Sequence, residues 1–143
     1  MALEPAPDLE QAHKDMTDAF NRGDVERLRE LISTHPAAIS RGTAPDEVFR
    51  GPEAIHAAMA EGAQATPQIT TTNIEAYADG DLGYVYAENT FIDPDGNEYP
   101  SRGLAVCRRE DGQWRYLHGL AAIPIPNEML TTDSPFVRAR TVN

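Results

Sequence analysis

Two turn signals, Asp93-Pro94-Asp95-Gly96 and Glu110-Asp111-Gly112-Gln113, cut the last third of this 143-residue chain into runs rich in Val, Tyr, Phe, Ile and Leu. Pro fixes φ at the second turn position, and Gly takes the left-handed position that closes a bulged hairpin. Residues 82–92, 97–109 and 113–123 are therefore expected to form an antiparallel meander. Three helix-like segments come before it. That order predicts a cup-shaped α+β domain, with three N-terminal helices packed on a curved antiparallel sheet around a pocket.

The helices are legible from their ends. Asp8 is a candidate N-cap with Gln11 three residues on, and Leu9, Ala12, Met16, Ala19 and Phe20 recur at helical spacing up to Gly23. Asp24 caps a second helix, whose stripe is Val25, Leu28, Leu31 and Ile32, and His35-Pro36 ends it. Residues 37–40 suit a short strand and 41–50 a loop. Gly51-Pro52 opens the third helix, with Ile55, Ala58 and Met59 facing inward. Residues 69–77 read as the first long strand. Pro124 and Pro126 cannot donate to a ladder, so the domain is expected to span residues 1–123 and a Pro-containing tail residues 124–143.

The formal net charge is −11, from 23 acidic and 12 basic residues. That field repels phosphate backbones and anionic lipid, which argues against nucleic acid and membranes as partners. No run approaches the ~20 apolar residues needed to cross a bilayer, and the first residues carry neither a basic start nor an apolar stretch, so a cytoplasmic protein is expected. The single cysteine, Cys107, excludes an internal disulfide. No metal or cofactor is expected: His and carboxylates lack metal-ligand spacing, and phosphate-cradling Gly loops and Gly-x-Ser-x-Gly elbows are absent.

Four stretches carry a family resemblance. They are Ala19-Phe20-Asn21-Arg22-Gly23-Asp24, Gly42-Thr43-Ala44-Pro45-Asp46-Glu47-Val48-Phe49, Gly51-Pro52-Glu53-Ala54-Ile55, and Arg108-Arg109-Glu110-Asp111-Gly112-Gln113-Trp114-Arg115. In order and spacing they resemble the SnoaL-like branch of the nuclear transport factor 2-like (cystatin-like α+β) superfamily. The resemblance implies a cone-shaped α+β fold with a strongly curved sheet, a pocket between sheet and helices, and a homodimer through the outer sheet face. It leaves the reaction open, since isomerases, cyclases, dehydratases and epoxide hydrolases share the fold.

Alternation along strands assigns the faces. Bulged hairpins would set Asp93 opposite Asn97 and Arg109 opposite Gln113. One face then carries Tyr84, Tyr86, Glu88, Arg102, Leu104, Val106, Trp114, Tyr116, His118 and Leu120. Its aromatic and polar mixture suits burial against a second copy, with Tyr84, Tyr86, Arg102, Trp114, Tyr116 and His118 as interface residues. The other face is small and apolar in the middle, at Ala87, Gly103, Ala105, Gly119 and Ala121, leaving room for close helix packing or for a cavity. A pocket for a small apolar molecule would be lined there by Asn89, Ser101, Ala105, Cys107 and Leu117. Phe20, Phe49, Ile55 and Met59 would close it from the helices and loop.

Candidates for acid/base chemistry are His118, Glu88 and Asp46. His118 lies near Arg102 and Glu88, a setting that tunes proton transfer but also describes an interface ion-pair cluster. Asp46 sits on the loop at the rim, where solvated acids are also ordinary. Ketosteroid isomerase chemistry needs a carboxylate base, a helix-one Tyr and a second acid. Arg41, Gly42 or Thr43, then Met16, then Gly103 or Leu104 fall at those places, so that reaction is not expected. The readings left open are an apolar-ligand protein, a small proton-transfer enzyme acting on a polyketide- or steroid-like substrate, and an assembly module.

Overall fold

Pro7 rather than Asp8 opens the first helix. The computed structural model describes residues 2–65 and 68–127, so residues 128–143 of the expected tail lie outside it. A two-residue strand β1 (Glu4–Pro5) leads into α1 (Pro7–Arg22), which has Ala6 at the N-cap and no side-chain cap. Pro at the first helical position loses no hydrogen bond there. The Asp8 carboxylate is used elsewhere, accepting from Arg109 Nη1 at 2.9 Å. Gly23, at φ 69°, ends α1 in the left-handed conformation, and the Asp24 side chain caps α2 (Val25–Glu30) through the Arg27 amide.

Strand β2 (Ile39–Arg41) is followed by β3 (Val48–Arg50) and then α3 (Pro52–Ala65). The segment expected as a loop thus contains a strand, antiparallel to β2 with Ser40 opposite Phe49. The turn between them is held by the Gly42 amide donating to the Glu47 carbonyl at 2.8 Å and the Ala44 amide donating to the Glu47 carboxylate at 3.0 Å. Gly42 is needed for that closure, because a Cβ there would run into the Glu47 side chain.

The long strands are β4 (Ile69–Asp79), β5 (Leu82–Ile92), β6 (Glu98–Glu110) and β7 (Gln113–Ala122). One sheet of seven strands results, in the order β1-β4-β5-β6-β7-β2-β3, with β2 parallel to β7 and the other neighbours antiparallel. Register shifts interrupt β4 at Thr71/Asn73 and the β6–β7 pair at Val106/Cys107. Each bulge bends its strand and sharpens the local twist, which curls the sheet around the helices.

The two hairpins differ, and the difference changes what faces inward. At the first, Asp93 and Asn97 pair as expected, with Gly96 at φ 85°. At the second, Asp111 and Gly112 both have positive φ, 51° and 76°, so the turn has two residues and Glu110 pairs with Gln113. This is the primed turn that Asp-Gly favours, because its twist matches that of the strands. Shortening the turn by one residue reverses the faces of residues 113–116.

Trp114 and Tyr116, expected outside, therefore point inward. Leu117 is the extra residue of the bulge, after which Val106 faces His118 and the expected alternation returns. The bulge has a backbone cause: the Tyr116 amide donates to the Leu31 carbonyl at 2.7 Å and the Ser33 amide donates to the Tyr116 carbonyl at 2.9 Å. The chain after α2 thus runs alongside β7 and pins Tyr116 in place.

Two apolar clusters fill the cone. One joins Leu9 of α1 to Val85, Ala105, Cys107 and Trp114 of the sheet. The second gathers Ile32, Ala38 and Ile55, with Phe49, Met59 and Leu117 packed on it.

Candidate functional site

Between the two clusters lies a cavity of about 260 Å³. Small residues create it: Gly103, Ala105, Gly119 and Ala121 supply the sheet wall. A Cβ built on Gly119 would meet nothing nearer than Ser40 Oγ at 3.7 Å, and one on Gly103 nothing nearer than the Leu120 carbonyl at 3.6 Å. Opposite stand Phe49, Ile55 and Met59, and α1 adds His13, Met16 and Thr17.

Of the residues expected to line a pocket, Phe49, Ile55, Met59, Asn89 and Ala105 border this cavity. Phe20 instead packs its ring against Gly62 of α3, 3.3 Å from where a Cβ would stand. Ser101 is buried opposite Asn89 in the β5–β6 pair but is not part of the wall. The Asn89 side chain finds its partner on the other neighbouring strand, accepting from Thr71 Oγ1 at 2.8 Å. Cys107 is sealed in the first core cluster, where burial pushes its thiol up to about 12 and keeps it protonated. Leu117 belongs to the second cluster.

The expected acid/base groups sit elsewhere. His118 and Glu88 are exposed on the outer sheet face, and Asp46 is exposed on the turn between β2 and β3. Glu88 accepts from the Tyr86 hydroxyl at 3.1 Å. His118 Nε2 lies 2.8 Å from Nη1 of Arg41, a residue at the cavity rim. Guanidinium only donates, so Nε2 of His118 is the acceptor and its proton is on Nδ1.

Tyr84, Tyr86, Arg102 and His118 share the outer face as expected, with Leu104, Val106 and Leu120 among them. Trp114 and Tyr116 do not join them. Among the described residues, no group of three His, Cys, Asp or Glu is placed to hold a metal ion, and no helix is long and apolar enough to cross a membrane.

The polar feature of the cavity wall is one that face counting missed. His13 is only 7% exposed, and its Nδ1 lies 2.6 Å from the Tyr116 hydroxyl. Burial lowers the His13 imidazole to about 4 and holds the Tyr116 phenol well above its ordinary value, so both are neutral at pH 7. Leu9, His13 and Thr17 are buried one turn apart on α1. Stepping by four from Leu9 would have found them, whereas following only apolar residues passes over both polar ones.

Comparison with known proteins agrees with this architecture. The family model described as the SnoaL-like domain matches residues 13–117. An NTF2-like protein of unknown function from Pseudomonas putida KT2440 superposes with a TM-score of 0.72 at 18% identity, covering 86% of this chain and 89% of that one. A presumed dehydratase of the NTF2-like family from Streptomyces avermitilis gives a TM-score of 0.72 at 20% identity, covering 84% and 96%. A cystatin-like fold protein from Caulobacter vibrioides gives 0.67 at 20% identity, covering 92% and 96%. At such identities the likeness is one of fold. No curated protein matches the chain by sequence.

Proposed function

The chain belongs to the SnoaL-like family, a membership that sets the fold and leaves the reaction open, and we propose that its cavity holds a small, largely apolar molecule. The observation that carries this reading is the wall itself, where glycines and alanines of the sheet leave about 260 Å³ unfilled between apolar side chains. Larger side chains on the sheet wall would occupy this space, so its glycines and alanines are what leave room for a ligand. A thermal-shift screen of polyketide-like, steroid-like and fatty compounds tests it. A ligand at a hundred times its Kd adds about 2.7 kcal/mol to stability. Absence of any shift across all three classes argues against the reading.

Filling the cavity gives the converse test. Gly119→Leu projects a side chain into the unfilled space, and Gly119 has a backbone that other residues adopt. The variant is expected to fold, with stability unchanged or higher by up to about 2 kcal/mol, and to lose every ligand response of the parent. Retained binding in a folded variant would place the ligand somewhere else.

The outer face supports a homodimer on the same reading. Leu104, Val106 and Leu120 are 46%, 38% and 49% exposed, and they adjoin Tyr84 and Tyr86. Contiguous exposed apolar surface of this kind favours association. Leu104→Glu is expected to weaken self-association by roughly thirtyfold or more, read by sedimentation, while leaving the melting of the monomer alone. Wild-type protein that sediments as a monomer at micromolar concentration would count against the dimer.

Dehydratase-type chemistry, suggested by the Streptomyces neighbour, finds less support. His118, Glu88 and Asp46 do not line the cavity, and a His13 imidazole titrating near 4 is a weak base at neutral pH.

A further inference from the structure

The hydrogen bond between His13 and Tyr116 determines which polar atom is left over in the wall. Two tautomers are conceivable. If Nδ1 carried the proton, it would donate to the phenol oxygen, leaving the Tyr116 hydroxyl proton and the Nε2 lone pair both without a use. If the Tyr116 hydroxyl donates to Nδ1, the 2.6 Å contact satisfies both groups, and one donor remains, Nε2–H. The short O···N distance suits a hydroxyl donor. His13 Nε2 is buried and has no partner among the described residues, so an acceptor reaches it only with a small shift of the wall. The ring that carries it forms part of the cavity wall, and a buried donor left unpaired is costly enough that native proteins rarely leave one so.

Resting on the reading of the cavity as a ligand site, we propose that it selects neutral molecules bearing a hydrogen-bond acceptor, a ketone or related carbonyl oxygen, which His13 Nε2–H binds. Tyr116 acts here as a positioning residue, fixing the tautomer that presents the proton. Neutrality of the ligand follows from the surroundings. The wall is apolar, and the cation that borders it, Arg41, is engaged at the rim with His118. A carboxylate would trade its hydration for one neutral N–H donor in an apolar wall, and Arg41, although it keeps its charge, already donates to His118. A ketone loses much less, and its oxygen gives the stranded donor a partner.

The test uses the whole chain and two probes of one carbon skeleton, 2-tetralone and tetralin. Calorimetry on the wild type is expected to show the ketone binding about three- to tenfold tighter than the hydrocarbon. The ¹⁵N resonance of His13 Nε2 is expected to move with 2-tetralone and not with tetralin. His13→Phe combined with Tyr116→Phe, which also removes the hydroxyl that loss of the imidazole would free, should bring the two affinities together while holding the tetralin affinity within about twofold. Tyr116→Phe keeps the imidazole but releases its tautomer, so the ketone preference should shrink there as well. Tyr116→Phe alone and the resonance shift decide the matter should the variant with both substitutions not fold. Equal affinities in the wild type, or a preference that survives when both His13 and Tyr116 are Phe, overturn the assignment to His13 while leaving the apolar pocket intact. If neither probe binds, the pocket reading itself fails.

Discussion

Trp114→Ala is expected to destabilise the fold by about 3–5 kcal/mol, the range for truncating a large buried aromatic. Trp114 is 4% exposed and closes the cluster that joins Leu9 of α1 to Val85, Ala105 and Cys107 of the sheet. The Arg109 guanidinium covers the ring from 4.4 Å, adding a cation–π contact that the alanine also loses. Domains of this size have only about 5–15 kcal/mol of stability in total, so the variant should melt roughly 10–20 °C lower or fail to accumulate. Urea unfolding at two protein concentrations checks the cause. A core residue gives a loss independent of concentration, whereas a Trp on an association surface would weaken the dimer and leave the monomer's stability untouched.

That experiment bears on how the chain encodes its interior. Turn residues and apolar periodicity are local signals, and they placed three helices, the meander and the end of the sheet near Ile123. The inward side of β5 and β6 was also legible, since Val85, Ala87, Asn89, Ser101, Ala105 and Cys107 need only strict alternation from a correctly read hairpin. What escaped depends on one residue of turn length. Asp111-Gly112 takes the two-residue form, and the bulge at Leu117 then cancels the shift. The cancellation comes from backbone pairing of residues 31–33 with Tyr116, a contact about 85 positions away along the chain that no local pattern records.

The consequence reached the candidate site directly. A register that leaves Tyr116 outside gives His13 no partner on the inner face. With Tyr116 inside, the two meet across the cone. The cavity's apolar wall followed from composition of the strand faces, but the pairing of His13 with Tyr116 required the tertiary register. The strand β3 was hidden for a related reason, because Gly42, Pro45 and Asp46 are turn residues and only three residues of ladder follow them.

Acid should expose the burial of His13 in a second, independent way. In the unfolded chain an imidazole titrates near 6.5, and in the folded protein burial lowers His13 to about 4. Between those values the unfolded state binds the extra proton and the folded state does not. Stability therefore rises with pH across that window, is fully present above 6.5, and is lost as the solution is acidified toward 4. The loss by pH 5 is about 2 kcal/mol, on a limit of about 3 kcal/mol. Against the opposing effect of their own burial, Asp8 and Glu110 have pKa values lowered below the ordinary carboxylate range, Asp8 by Arg109 and the Leu9 amide and Glu110 chiefly by Ser33 and Thr34. Their stabilising effects also vanish with acid, but at lower pH, so they do not enter the comparison above pH 5. His13→Gln removes the titrating ring. Its unfolding free energy, followed by urea titration from pH 7.5 to 5, is expected to stay about 2 kcal/mol flatter than that of the wild type. Equal slopes in the two proteins would mean that the imidazole is solvated in the native state, and a solvated His13 would have no stranded proton to offer a ligand.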